Sequence, residues 1–285
     1  MSPQINRVKR LAEGLPQRYA FRSLIGRGAA AYVILADDVE RQSEVAVKIM
    51  RPEATTLLGE KRFRREIEIL SGLAHPNILP FLDHGLTQEG SLYLVTPFVA
   101  GGTLRTRLLR DKTLVLNDAI SVARDVGRAL DYAHQNGLIH RDIKPANILL
   151  SDGRAIVGDF GISRASVVDK LAPITLSGIS LGTPEYMSPE QIAGVGEVDG
   201  RTDQYALGCV VYEMLTGKPP FTGRTASVFI SQQKEPPRPI REIKSSVPAV
   251  VDKAIMKALA KQRTSRFDSA GNFVTAMLAA YTGSV

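Results

Sequence analysis

The sequence predicts an α+β fold in which a small β-rich part precedes a larger and mainly α-helical part. Five strand-like segments lie between residues 19 and 98, and helical patterns dominate after Gly101 and Gly102. A chain of 285 residues with 44% hydrophobic content can bury a substantial core. The change of pattern places the boundary between the two parts near residues 97–102.

The β-rich part alternates strand-like segments with turns and one helical stretch. That stretch runs from Glu60 to Leu73, and Phe63, Ile67 and Leu70 recur on one face at three- and four-residue spacing. We therefore expect a small antiparallel sheet with one helix, preceded by an N-terminal extension over residues 1–18. The predicted strands cover residues 19–24, 33–37, 44–51, 79–86 and 92–98.

The clearest helix of the second part begins at Asn117, its predicted N-cap, and stops at Gly137. Its apolar positions recur at helical spacing: Ile120, Ala123, Val126, Leu130 and Ala133.

Composition excludes several classes of function. The net charge of +7 comes from 36 basic and 29 acidic residues that are interspersed, which predicts a mildly cationic surface and no nucleic-acid partner. The chain has no tryptophan and only 6% aromatic residues, which argues against base stacking. One cysteine, Cys209, excludes an intramolecular disulfide and fits a reducing compartment. No apolar run approaches the ~18 residues that span a bilayer.

We therefore expect a cytoplasmic location, with no membrane contact from this segment. The cytosolic domain of a longer membrane-anchored protein is the alternative, because an excised domain would have the same pattern.

Two motifs carry the chemistry. Residues 140–147 read His-Arg-Asp-Ile-Lys-Pro-Ala-Asn, and residues 159–161 read Asp-Phe-Gly. They resemble the catalytic loop and the metal-binding motif of protein kinases. The resemblance implies that Asp142 accepts the hydroxyl proton and that Lys144 steadies the transferring phosphoryl group. It also implies that Asn147 and Asp159 supply oxygen ligands for magnesium. A turn or helix cap is the alternative for any one of these residues, but it does not account for all of them.

The resemblance continues in the β-rich part. Gly26 and Gly28 lie between two predicted strands, where backbone amides can close over nucleotide phosphates. Ala31 stands where the pattern has a third glycine, so we expect a stiff loop of three alanines. A plain β-turn explains this segment almost as well. Position favours the kinase interpretation, because Val-Ala-Val-Lys ends at Lys48 on the third strand. Lys48 would bind the α- and β-phosphates, and Glu66 would hold it in place.

The resemblance also implies an apolar adenine pocket. Thr96 would be the gatekeeper at its rear. Pro97 departs from the acidic residue common at this position, and it has no amide proton, so the Pro97 carbonyl and the Val99 backbone would contact adenine. The remaining lining would be Leu24 or Ile25, Val33 and Ala46, with Leu149 as the floor.

Residues 182–190 resemble the end of a kinase activation segment. The resemblance implies a buried ion pair between Glu190 and Arg266, and a role for Asp203 as a cap of the catalytic-loop backbone. Thr183 would help to shape the acceptor site. The lysine of the catalytic loop and the Gly-Thr-Pro-Glu-Tyr sequence resemble Ser/Thr kinases, and Ser-Pro-Glu-Gln resembles the bacterial family related to eukaryotic kinases.

The activation segment, residues 159–190, contains several hydroxyl residues. Three basic residues could converge on a phosphate added there: Arg62, Arg141 and Arg164. Thr175 and Ser177 are the preferred sites of modification, and Ser180 is a further candidate.

The sequence thus predicts a bilobal protein kinase fold over residues 19–281, with an N-lobe at 19–98 and a C-lobe at 99–281. The predicted activity is phosphorylation of protein Ser/Thr residues with ATP and Mg²⁺, or Mn²⁺, accompanied by autophosphorylation and possible self-association. A pseudokinase that senses nucleotide or acts as a scaffold is the alternative, and a small-molecule kinase is a third possibility.

Overall fold

The computed structural model describes residues 3–28, 30–58, 67–68, 70–160, 183–194 and 198–282, with side chains described outside 3–7, 56–58 and 280–282. These residues form two compact units. Residues up to 74, together with 79–100, belong to the N-terminal unit, and residues 75–78 and those from 101 onward belong to the C-terminal unit.

The N-terminal unit is built on a five-stranded antiparallel sheet. Its strands are β1 (Tyr19–Arg27), β2 (Ala31–Asp38), β3 (Ser43–Met50), β4 (Asp83–Leu86) and β5 (Leu92–Pro97). They lie in the order β1-β2-β3-β5-β4. Helices α1 (Pro3–Glu13) and α2 (Pro52–Leu58) belong to the same unit, and residues 67, 68, 70 and 71 of the predicted helix 60–73 are helical.

The two faces of this sheet differ in burial. Along β3, Val45, Val47 and Ile49 are fully buried, whereas the alternating residues Ala46 and Lys48 are only partly buried. Because successive strand side chains point to opposite faces, one face of the sheet forms the core of the unit and the other stays partly accessible.

Helix α1 covers the core face. Val8, Leu11, Ala12 and Leu15 are at most 5% exposed and belong to the same apolar cluster as the buried face of the sheet. The Gly14 carbonyl also accepts a hydrogen bond from the Gln88 amide, 2.8 Å away. The segment predicted as an N-terminal extension therefore contributes to the core of the N-terminal unit.

Strand β4 begins at Asp83, four residues after the predicted start at Leu79. Pro80 has no amide hydrogen and cannot donate to a strand ladder, so regular pairing does not extend back to the predicted start at Leu79. Ala31 also departs from expectation, because it is 5% exposed in strand β2, opposite Met50. The expectation of a loop of three alanines was therefore wrong for Ala31.

The C-terminal unit is mainly helical. Its helices are α3 (Leu104–Asp111), α4 (Leu116–Gln135), α5 (Pro189–Ala193), α6 (Gly200–Thr216), α7 (Thr225–Lys234), α8 (Ala249–Ala258) and α9 (Ala270–Thr282), and its strands are β6 (Ile148–Ser151) and β7 (Arg154–Val157). Nearly every residue of α6 is buried, so this helix is the centre of the unit. No helix in the described part of the chain is long and apolar enough to cross a membrane.

The ends of α4 test the predicted capping. Gly137 adopts a φ of 74°, and its amide bonds the His134 carbonyl at 2.9 Å, which confirms the predicted stop. The predicted N-cap was wrong. Val115 is the N-cap, its carbonyl accepts the Ala119 amide at 3.1 Å, and Asn117 lies inside the first turn.

We predict that Leu11→Ala lowers the free energy of unfolding by about 2–4 kcal/mol, because it removes a buried side chain from the core cluster. The measurement is urea denaturation followed by circular dichroism. The neighbouring exposed residue gives the control: Arg10→Ala is expected to stay within about 0.5 kcal/mol of the unaltered protein. Equal effects of the two changes would contradict the packing of α1 on the sheet.

Candidate active site

The catalytic loop is held by a carboxylate from α6. Asp203 is fully buried, and its side chain accepts the backbone amides of His140 at 2.8 Å and Arg141 at 2.7 Å. Arg141 has a φ of 64°, a conformation that costs a non-glycine residue of order 1–2 kcal/mol. Asp203 therefore offsets backbone strain next to Asp142, in the place predicted for a cap of this loop.

His134 of α4 also binds Asp203, with 2.8 Å between Nε2 and Oδ2. Burial alone would lower the pKa of His134, but the hydrogen bond to Asp203 and nearby carboxylates outweigh burial and raise the pKa above its ordinary value. Sequence reasoning did not identify this histidine, because nothing in its local pattern indicates a partner 69 residues away.

His140 is fully buried and uses both ring nitrogens. Its Nδ1 accepts the Asp142 amide at 3.2 Å, and its Nε2 lies 2.9 Å from the Gly158 carbonyl. Nδ1 is therefore the acceptor and Nε2 the donor, which is the pattern of a neutral imidazole. The ring also packs on Phe160, with 4.6 Å between centroids.

Asp142 is the centre of the polar group in this loop. Its Oδ2 accepts Lys144 Nζ at 2.8 Å and Asn147 Nδ2 at 3.1 Å. Asn147 Nδ2 also donates to the Asp142 carbonyl at 2.8 Å. The structure thus places a carboxylate and a cation side by side, with about a fifth of each side chain exposed.

The donor set fits a hard divalent cation. Because the nitrogen of Asn147 is held by Asp142, its amide oxygen is the atom left to act as a ligand. The Gly158 amide donates a hydrogen bond to the Asn147 carbonyl at 2.9 Å. This bond holds the backbone immediately before Asp159, whose side chain is exposed. Among the described residues no group of three or more His, Cys, Asp or Glu could hold a metal. Two oxygen ligands fit a cation that also binds phosphates and water.

The accessible face of the N-terminal sheet brings several predicted nucleotide contacts together. Val33 lies opposite Lys48, and Thr96 lies opposite Ala46. All four are partly buried, and they alternate with the core residues of their strands. Lys48 is therefore presented on the same face as the apolar residues predicted to contact adenine.

Strand β1 decides between Leu24 and Ile25. Leu24 packs against the core cluster, whereas Ile25 falls at a register shift and is 44% exposed. Ile25 is thus the side chain available to a ligand. A Cβ at Gly26 would lie 3.2 Å from the Val33 Cβ, so this glycine permits the close approach of β1 and β2.

Arg51 closes the hairpin that carries Gly28. The Gly28 amide bonds the Ala31 carbonyl at 2.9 Å, and Arg51 Nη2 donates to the Gly28 carbonyl, also at 2.9 Å. The guanidinium lies over the Tyr32 ring, 4.7 Å from its centroid. Sequence reasoning did not identify this contact.

The end of β5 limits which backbone groups can contact a nucleotide. Pro97 pairs with Val45, and the Phe98 amide donates to the Glu44 carbonyl at 3.2 Å. The Phe98 amide is therefore already used by the sheet, which leaves the Pro97 carbonyl and the Val99 backbone as the predicted contacts to a nucleotide.

Leu149, the predicted floor of the adenine pocket, lies in β6 of the C-terminal unit. It is paired with Ile156 and partly buried.

Glu190 and Arg266 form the predicted ion pair, with contacts of 2.8 and 2.9 Å. Arg266 is 4% exposed, and it also donates to the carbonyls of Ala260 and Arg201. Burial alone would raise the pKa of Glu190, but the bond to Arg266 holds it below its ordinary value. Thr202 adds a hydrogen bond of 2.9 Å to the same carboxylate.

A glutamine that sequence reasoning missed binds the segment before α5. Gln232 of α7 is fully buried, and its Nε2 donates to the carbonyls of Glu185 at 2.7 Å and Pro184 at 3.3 Å. Its Oε1 accepts the Tyr205 hydroxyl. The sequence signal that could have identified Gln232 was its position one helical turn after Val228, which places it on the same buried face of the helix.

A second missed group joins α3 and α6 to the same segment. Arg105 donates to Glu213 at 2.7 Å and to the Tyr186 hydroxyl at 2.5 Å, and that hydroxyl donates to Glu213 at 2.5 Å. Burial and the Glu213 charge raise the pKa of Tyr186. The partners lie between 27 and 108 residues apart, beyond the reach of local sequence patterns.

Several predicted residues lie outside the described residues: Glu66, Arg62, Arg164, Thr175, Ser177 and Ser180. Arg141 and Thr183 are described. Thr183 precedes the short helical turn Pro184–Tyr186, and its carbonyl accepts the Tyr186 amide at 3.5 Å.

Comparison with known proteins identifies the class. The protein kinase domain family matches residues 19–279. The serine/threonine-protein kinase PknB of Mycobacterium tuberculosis H37Rv is 39% identical over 275 residues, which cover 94% of this chain and 44% of that protein. PknJ of Mycobacterium bovis is 39% identical over 274 residues, with 93% and 46% covered. A crystal structure of the M. tuberculosis PknI kinase domain superposes with a TM-score of 0.74 at 28% identity, and the match covers 95% of this chain and 99% of that one.

The chain therefore belongs to the protein kinase family and has its bilobal α+β fold. Its relatives place it among the bacterial-type Ser/Thr protein kinase catalytic domains. Use of ATP and a divalent metal is general in this family. The chain spans less than half of the length of these curated relatives.

We predict that Arg266→Met destabilises the protein by about 3–5 kcal/mol, because it leaves the Glu190 carboxylate buried without its cation. Chemical denaturation gives the value. The double variant Glu190→Gln, Arg266→Met should lose less than the sum of the two single changes. Strict additivity would show that the two side chains do not interact.

The raised pKa of His134 predicts a pH dependence of stability. A raised folded pKa adds stability that is fully present below the unfolded value, about 6.5, and is lost as pH rises through the folded pKa. The denaturant concentration at the unfolding midpoint of the unaltered protein should therefore decrease as the pH is raised above about 6.5. This decrease should be smaller for His134→Gln. Identical pH profiles for the two proteins would contradict a coupled His134–Asp203 pair.

Proposed function

We propose that this chain is the catalytic domain of a Ser/Thr protein kinase that transfers the γ-phosphate of ATP to serine and threonine hydroxyls of proteins. The observation that carries the proposal is the contact of Asp142 Oδ2 with both Lys144 Nζ, at 2.8 Å, and Asn147 Nδ2, at 3.1 Å. A carboxylate, an ammonium group and a side-chain amide thus lie together on one loop, and we assign them the roles of proton acceptor, cation and oxygen ligand for a metal.

In the proposed step, Asp142 orients the acceptor hydroxyl and takes its proton as the oxygen attacks the γ-phosphorus. The bond from that phosphorus to the β-phosphate oxygen breaks, and ADP leaves. Lys144 lies beside the carboxylate and would stabilise the charge of the transferring group. A bound divalent cation, Mg²⁺ with Mn²⁺ as the alternative, would neutralise phosphate charge when held by Asn147 and Asp159.

Nucleotide-binding roles follow from the accessible face of the sheet. Lys48 would bind the α- and β-phosphates, and Gly26 and Gly28 would bring backbone close to them. Glu66 is the proposed partner that holds Lys48. Apolar contacts to adenine are assigned to Ile25, Val33, Ala46, Thr96 and Leu149, with backbone contacts from Pro97 and Val99.

The pseudokinase alternative has no support in the described residues. Asp142, Lys144, Asn147 and Asp159 are all present, and Asp142 contacts both Lys144 and Asn147. The residue that departs from the nucleotide-loop pattern, Ala31, lies in a strand opposite Met50, so it removes neither a proton acceptor nor a metal ligand.

We also propose regulation by autophosphorylation of the activation segment. Phosphate on Thr175 or Ser177, with Ser180 as a further site, would bind the basic group Arg62, Arg141 and Arg164. Thr183 would help to shape the acceptor site. Transfer between two copies would require transient self-association. The proposed location is the cytoplasm, either for this chain alone or for the catalytic part of a longer membrane-anchored protein.

We predict that Asp142→Asn retains the fold and nucleotide binding but lowers turnover about 10²-fold or more, because it removes the proton acceptor. Purified proteins are incubated with ATP and Mg²⁺, and phosphosites are read by mass spectrometry alongside peptide kinetics. Asp152→Asn is the matched control, because Asp152 is an exposed turn residue with a φ of 48° that asparagine tolerates.

Phosphate at Thr175 or Ser177 in the unaltered and Asp152→Asn proteins, but not in Asp142→Asn, supports both the activity and the proposed regulation. Near-normal turnover of Asp142→Asn would overturn the mechanism. Turnover with Thr175, Ser177 and Ser180 all unmodified would remove the autophosphorylation proposal and leave the activity in place.

A further inference from the structure

Gln191 uses both ends of its side-chain amide. It is the third residue of α5, whose N-cap is the fully buried Ser188. Ser188 Oγ accepts the Gln191 amide at 3.3 Å, and Gln191 Oε1 accepts the Ser188 amide at 3.1 Å, which forms a capping box. The nitrogen of the same side chain, Nε2, donates to the Arg141 carbonyl at 2.9 Å. One residue therefore links the start of α5 to the catalytic loop.

The bond to Arg141 acts on the peptide group that precedes Asp142. The carbonyl of this peptide accepts Gln191 Nε2, and its amide hydrogen is donated to His140 Nδ1 at 3.2 Å. The preceding peptide is held by Asp203 through the Arg141 amide. Because Arg141 is in the left-handed region, with a φ of 64°, this backbone depends on external contacts to keep its conformation.

We propose that Gln191 is a positioning residue, which fixes the plane of the Arg141–Asp142 peptide and makes the orientation of the Asp142 carboxylate depend on the docking of residues 183–193. The proposal rests on the proposed kinase function. Sequence reasoning assigned no role to Gln191, which was noted only as part of the Ser-Pro-Glu-Gln resemblance to the bacterial family.

The chemistry explains why glutamine is required. Glutamate is equally suited to the third position of a capping box, since its carboxylate can accept the Ser188 amide. An ionised carboxylate has no hydrogen to donate, however, and it would face the Arg141 carbonyl with like partial charge. Only the amide serves the helix with its oxygen and the catalytic loop with its nitrogen.

Two variants separate the two roles. Gln191→Glu keeps the capping box and removes the donor to Arg141. Ser188→Ala removes the hydroxyl of the capping box and leaves the Gln191 side chain in place. For each protein, thermal stability, kcat for a peptide substrate and KM for ATP are measured, together with hydrogen exchange of the Asp142 amide.

We expect Gln191→Glu to lower kcat about tenfold, because the loss of one hydrogen bond that positions Asp142 raises the activation barrier by about that factor. Stability and KM for ATP should change little. The Asp142 amide should exchange faster in this variant. Ser188→Ala should lower the melting temperature, as the loss of a cap does, with kcat nearly unchanged. The activity of Gln191→Glu relative to the unaltered protein should rise as pH falls towards the carboxyl pKa, near 4.3, because a protonated glutamate can donate.

An unchanged kcat in Gln191→Glu, or an equal loss of kcat in both variants, would overturn the proposal. Hydrogen exchange keeps the test independent of catalysis. If the unaltered protein shows no transfer activity, slow exchange of the Asp142 amide that accelerates only in Gln191→Glu still supports the positioning role, whereas the proposed function fails.

Discussion

The buried carboxylate of Asp203 is the constraint on which the active site depends. It accepts two consecutive catalytic-loop amides and binds His134, and it does so without exposure to solvent. A carboxylate in this position is costly to bury unless its hydrogen bonds are complete. With its hydrogen bonds complete, the Asp203 carboxylate holds the backbone of Arg141 in a left-handed conformation that non-glycine residues rarely adopt. This conformation sets the direction of Asp142 and of the contacts that Asp142 makes.

Other buried polar groups attach residues 183–193 to the same C-terminal unit. Arg266 binds Glu190, Gln232 binds two carbonyls, and Arg105 joins Tyr186 to Glu213. Removing one partner of such a group is costly, because it leaves a buried polar atom unpaired. The intact contact adds little net stability, since both groups lost their hydration on burial, so its main effect is to specify geometry. The central helix α6 supplies Tyr205 and Glu213 to these groups, which explains why a segment without a long helix of its own has a defined position.

The sequence was sufficient where chemistry is contiguous or periodic. The catalytic-loop residues lie within eight positions of one another, and the five strands have alternating patterns, so the fold class was predicted and is confirmed. Helix α1 was missed although its signal is present in the sequence: Val8, Leu11 and Ala12 recur at helical spacing, and the charged residues between them are exposed, as in any amphipathic helix. Gln191, Gln232 and Arg105 were missed for a different reason, since each acts through a partner at least 27 residues away and each has an ordinary surface character in the sequence.

The described end of the activation segment and helix α5, residues 183–193, are connected to the proposed base Asp142 through Gln191. Along the chain, Arg141 and Gln191 are 50 residues apart, yet one hydrogen bond of 2.9 Å joins them. Its two ends are a capped helix and a peptide that is held on both sides, and each has few alternative conformations. Coupling needs elements with discrete arrangements, because a flexible link dissipates any change in position. A change that undocks residues 183–193 would break the Gln191 bond, and the Arg141–Asp142 peptide would then keep its strain with one of its contacts removed. The proposed base would thus lose its orientation without any change to the base itself.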